Sequence, residues 1–160
     1  MAGTPESTGG PVRPAVALGL ATVTFVALLI FGLGMVSLAL SADIIEAPGL
    51  GQVPGIVATA LTTGAFALVL WLSLRRRRPS YWPAVWTALA CYAVYNATMW
   101  LAVATAADLA TATAVAGRIA TTGFGVAIAA AAALAAAGGI SLVRTRSQRP
   151  RWPWEDEFDE

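Results

Sequence analysis

Apolar positions along this chain fall into four long runs separated by proline, glycine or charge, and run length, more than alternation of faces, is the dominant pattern. Ala15 to Leu40 is unbroken and long enough to cross a hydrocarbon core of about 30 Å at about 1.5 Å per residue. Ser41 to Pro54 reads as a loop, with turn residues at Pro48-Gly49 and Gly51 and with Pro54 suited to the start of a helix. Gly55 to Leu74 is the second run, carrying Trp71 near its end as an interface residue. Tyr81 and Trp82 then anchor a third span over 83–104, where Pro83 falls in a first turn that tolerates it. Thr105 to Gly117 reads as a linker containing Asp108. Arg118 marks the edge of a fourth span over 118–143, Ala-rich and expected to be less hydrophobic than the others.

The predicted fold class is therefore an all-α membrane protein, an antiparallel four-helix transmembrane bundle over residues 15–143. Residues 1–14, rich in Gly, Pro, Ser and Thr, are predicted to be a disordered N-terminus. Ala39-Leu40-Ser41 loosely resembles a signal-peptide cleavage site. Signal cores run to only about 7–15 apolar residues, however, so an uncleaved span is expected.

Charge sets the expected orientation. Arg75, Arg76, Arg77 and Arg78 lie between two membrane-length runs, and such a quartet strongly prefers the cytoplasmic face. Both termini then lie inside, together with Arg13 and the tail arginines 144, 146, 149 and 151, and only Arg118 falls outside. The tail over 144–160 turns from basic to acidic around Trp152 and Trp154. Exposed ion pairs contribute only about 0–1 kcal/mol, so arginines on anionic headgroups with solvated acids are favoured over a latch between tail and arginine turn.

Composition agrees with a membrane: 58% of residues are hydrophobic and 12% charged, against roughly 25% in a soluble domain. Lys and His are absent, and with the abundant Ala this points to a GC-rich bacterial source and a bacterial inner or plasma membrane. The lone Cys91 and the lack of His remove the usual ligands for zinc, haem or a thiol cluster, so no cofactor is expected. Asp43, Glu46 and Asp108 are too scattered to predict a metal site.

Two candidate faces remain. Tyr92, Tyr95, Asn96 and Met99 share one side of the third span, and Thr59, Thr62, Thr63 and Phe66 repeat that spacing on the second. Asn96 and Thr62 both lie about 20 Å from the arginine turn, so hydrogen bonds between the two faces are predicted. Interhelical adhesion is favoured over a polar pocket, since no ionisable group joins the cluster. Gly117, Thr121, Gly125, Ala129, Ala133 and Ala137, four apart, form a candidate helix-packing ridge.

Four spans in so short a chain resemble small multidrug transporters. That family depends on a carboxylate in its first span, and Ala15 to Leu40 has none, so its function does not carry over. Phage holins are similar in composition only. The expected role is a non-enzymatic accessory or scaffold subunit associating laterally as a homo-oligomer or with another membrane protein. The alternative is a small transporter or holin-like pore former using the Tyr92/Asn96 face. The lipid bilayer and its anionic headgroups are the expected surroundings, with no nucleic acid partner. No nucleophile–base pair, phosphate-cradling loop or intramembrane acid argues for an enzyme.

Overall fold

A computed structural model describes residues 13–41, 51–75 and 81–144. Among them the chain is all-helical: α1 (Pro14–Leu40), α2 (Val53–Leu74), α3 (Trp82–Ala106), α4 (Leu109–Thr121) and α5 (Gly123–Arg144). The first three each carry a proline in the first turn, where its missing N–H would have no intrahelical partner in any case. Helix α1 stops at Ser41, which turns into the left-handed region (φ 48°). Four helices, α1, α2, α3 and α5, are long and apolar enough to cross a membrane. Of the predicted disordered N-terminus, residues 1–12 lie outside the described residues, as do Asp43, Glu46, Arg76 to Arg78 and the tail beyond Arg144, whereas Arg13 caps α1 and Pro14 begins it.

The fourth span departs from expectation. Residues assigned to a linker form most of a separate helix, α4, and the last apolar helix begins at Gly123 rather than Arg118. Asp108 is the cause at one end: its side chain accepts the Thr111 N–H and nucleates the first turn. Thr122 is the cause at the other. Its backbone is extended (φ −97°, ψ 174°), and its hydroxyl and N–H both donate to the Arg118 carbonyl, closing α4. Arg118 thus sits in the last turn of α4, where the helix dipole favours a cation. Without residues 118–122, α5 is more hydropathic over its most apolar stretch than α2 or α3, the reverse of the expected order.

Packing is most extensive between α1 and α5 and between α2 and α3. Along α1 the buried residues are Ala17, Ala21, Phe25 and Leu29, a single seam with a four-residue step. A methyl on Gly139 would lie 2.9 Å from the Ala21 Cβ, one on Gly32 would lie 3.4 Å from the Ala127 Cβ, and one on Gly123 would lie 3.4 Å from Val36. Numbers rise on one helix as they fall on the other, so α1 and α5 run in opposite directions. Phe25 and Phe66 stack with ring centroids 4.4 Å apart and join α1 to α2. Tyr81 and Ser141, with hydroxyls 3.2 Å apart, tie the start of α3 to the end of α5. Helix α4 turns back along α3, burying Ala112, Val115 and Ile119, and Trp100 Nε1 donates to Thr113 Oγ1 at 3.4 Å.

Candidate functional site

Hydroxyls within the long helices mostly turn back on their own backbone. Thr22, Thr63, Ser73, Thr87 and Ser141 each donate to the carbonyl four residues earlier, at 2.7–2.8 Å. On the predicted polar face this local bond accounts for Thr63 alone. Thr63 is satisfied by Thr59 O, and no hydrogen bond crosses from Thr59, Thr62 or Thr63 to Tyr92, Tyr95 or Asn96 among the described residues. Thr62 is 0% exposed and its Oγ1 has no partner there. Asn96 is half-buried.

The two tyrosines separate. Tyr92 lies over Gly125, where an added methyl would be 2.9 Å from the ring and 2.6 Å from the Ile119 carbonyl oxygen. Only glycine allows that approach, so Gly125 serves packing within the chain. The candidate ridge is therefore not a continuous surface: Gly117 and Thr121 belong to α4, Gly125 and Ala129 to α5, and Thr122 breaks the helix between them. Ala129, Ala133 and Ala137 pack half-buried against the core.

Tyr95, by contrast, lines a cleft of about 760 Å³ between α1, α2 and α3. Thr59 and Met99 line it too, so three of the predicted face residues share one space. Ile30, Leu33 and Ile56 supply apolar walls, while Ser37 and Gln52 stand near the helix ends. The cavity exists because the wall residues are small: Gly34 and Gly55 line it, and a methyl on either would meet nothing within 4 Å. The contribution of α1 was missed in the sequence. A usable signal was present in Gly34 and Ser37, one turn apart near the end of α1, which share the cleft with Gly55.

At the other end, arginines rest on aromatic rings. The Arg75 guanidinium is 4.6 Å from the Trp71 ring centre and that of Arg144 is 4.7 Å from Tyr81. Arg75 is the only member of the arginine quartet within the described residues. Asp108 is committed to capping α4. The Thr111 N–H at 2.9 Å, then the Thr111 hydroxyl at 2.8 Å, hold its carboxyl below the ordinary carboxylate pKa. No cluster of metal-ligating side chains occurs among the described residues.

A model of the family of unknown function DUF6121 matches residues 13–160. The chain belongs to this family. No curated protein and no solved structure matches it. The matched span takes in all five helices, including both the cleft and the aromatic–arginine end, and the family carries no activity with it.

Proposed function

We propose that this DUF6121 member is an antiparallel transmembrane bundle of four spans in a bacterial inner membrane, acting without catalysis as an accessory or scaffold subunit. In this proposal it associates laterally with a second copy or another membrane protein. The observation that carries it is the uncovered side of α1 and α2. Helix α1 buries one narrow seam and leaves Val23, Phe31 and Leu38 exposed, with Gly19 among them. Helix α2 likewise exposes Leu61, Gly64 and Leu68. Gly19 and Gly64 have nothing within 4 Å of an added methyl, so internal packing does not require them. Glycine in a helix interior costs about 1 kcal/mol relative to alanine, and small residues on membrane helices let a neighbouring helix come close.

The orientation has its own support. The Ala17 carbonyl lies near Gly139, Leu70 also reaches Gly139, and Tyr81 meets Ser141, which brings Arg13, Arg75 and Arg144 toward one end. The positive-inside rule makes that end cytoplasmic, with both termini inside. Reporter fusions at Ala47 and Asp108 should therefore read as outside the cytosol.

For the role, full-length protein purified in mild detergent should run as an oligomer or with a co-purifying membrane subunit. Gly19→Leu or Gly64→Leu should shift it toward monomer with helix content unchanged. A monomer that no cross-linker joins to a neighbour in native membranes would overturn the proposal.

A further inference from the structure

We infer that the cleft between α1, α2 and α3 is a binding site for a membrane phospholipid, with an acyl chain lying in the cleft and an ester carbonyl accepting the Tyr95 hydroxyl. The inference needs the four helices to cross a bilayer but is independent of lateral association.

The first support is an unmet polar group. Tyr95 is 1% exposed and lines the cleft, yet its hydroxyl has no hydrogen-bond partner among the described residues. Thr59 lines the same space, and its hydroxyl likewise has no partner there. Most serine and threonine hydroxyls on these helices bond their own backbone, and of those that do not, Thr59 joins Tyr95 in lining the cleft. The one fully buried unpartnered oxygen among the described residues is that of Thr62, so the Tyr95 and Thr59 hydroxyls open onto the cleft, and at membrane depth hydrocarbon supplies no water to meet them.

The second support is the sorting of polarity along the cleft. Ser37 and Gln52 stand close to the ends of α1 and α2, at the level where a headgroup would sit. Thr59 lies seven residues beyond Gln52, about 10 Å deeper along α2. Ile30, Leu33 and Ile56 line the rest. A polar mouth, a hydrogen-bonding waist and apolar walls match a phospholipid read from headgroup through ester to tail. A helix from a second copy fits less well, because its carbonyls already bond within that helix and leave the Tyr95 hydroxyl unmet. The cleft is open rather than enclosed, and in a bilayer acyl chains are the abundant solute at the depth of its apolar walls.

The test uses full-length protein reconstituted in phosphatidylglycerol–phosphatidylethanolamine vesicles. These are doped with a phosphatidylethanolamine carrying a diazirine in its acyl chain. After illumination, adducts mapped by peptide mass spectrometry should be several-fold richer at residues 30–37 and 52–60 than at Leu101 and Val126, exposed positions on α3 and α5 away from the proposed association face. Gly55→Leu, which puts a side chain into open space, should bring cleft labelling down to the level of Leu101 and Val126. Tyr95→Phe should lower it by about threefold, the loss of one hydrogen bond in hydrocarbon. Labelling of the cleft no richer than at Leu101 and Val126, or undiminished in Tyr95→Phe, would overturn the inference. Should Gly55→Leu fail to fold, Tyr95→Phe alone decides. Gly19 and Gly64 lie outside the cleft, so a failure of lateral association leaves this outcome readable.

Discussion

Gly32 and Gly34 are two residues apart on one helix and do opposite things. An added methyl on Gly32 would touch Ala127 at 3.4 Å, in the seam where α1 and α5 close on each other. The same methyl on Gly34 would meet nothing within 4 Å, because that side of α1 faces the cleft. The seam and the cleft are thus two solutions to packing with small residues. In the first, two helices approach until the missing side chains are filled by the partner's backbone and methyl groups. In the second, the helices do not close on the glycines, Tyr95 and Met99 line the space between them, and the missing side chains remain as volume. A glycine in a membrane helix therefore tells where space is available without telling what fills it.

Filling the tight side should do the most damage. Gly125→Leu would push against the Ile119 carbonyl and the Tyr92 ring, and the backbone atom cannot move aside. It should cost about 3 kcal/mol or more, beyond the usual range for overpacking, and appear as a large loss of folded yield and melting temperature in detergent. A fold that tolerates Gly125→Leu would remove the distinction between glycines that permit close approach and glycines that leave open volume.

Next in size is Thr62→Val, which replaces the partnerless buried hydroxyl by a methyl of similar shape. It should stabilise by about 1 kcal/mol in thermal unfolding, since an unsatisfied buried polar group is lost and no bond with it. Destabilisation would instead restore the idea that Thr62 adheres to α3. Gly34→Ala should then raise the melting point slightly, by about 0.4–1 kcal/mol of helix preference, with no clash to offset it. Gly32→Ala, against Ala127, should gain less.

The smallest effect concerns α4. The native bonds from Thr111 lower the Asp108 pKa, so the carboxylate's contribution is complete above its ordinary pKa and fades as pH falls through the lowered value. Hydrogen exchange over residues 109–121 should quicken only at strongly acidic pH. Asp108→Asn should keep a cap yet lose that pH dependence.

Much of the architecture was legible because it rests on local properties. The starts of α2 and α3 fall within two residues of the expected spans, since Pro54 and Pro83 suit first turns and cannot sit inside a helix. The cap at Asp108 and the inward set Ala112, Val115 and Ile119 were equally local, and the linker assignment overlooked them. The cross-helix bonds are absent for reasons that are not local throughout: Thr63 turns back on Thr59 O, while Thr59 and Tyr95 line the cleft without bonding each other.

From the chain alone come four membrane-length helices, the positions of most breaks and a basic end marked by arginine. The folded arrangement decided which glycines touch a neighbour, that Tyr92 packs while Tyr95 faces open space, and that α1 completes the cleft. The reason is physical. A helix apolar on all sides suits hydrocarbon in any rotation about its own axis, so its sequence does not state which face turns inward. Only the fit of one helix against the next selects that rotation.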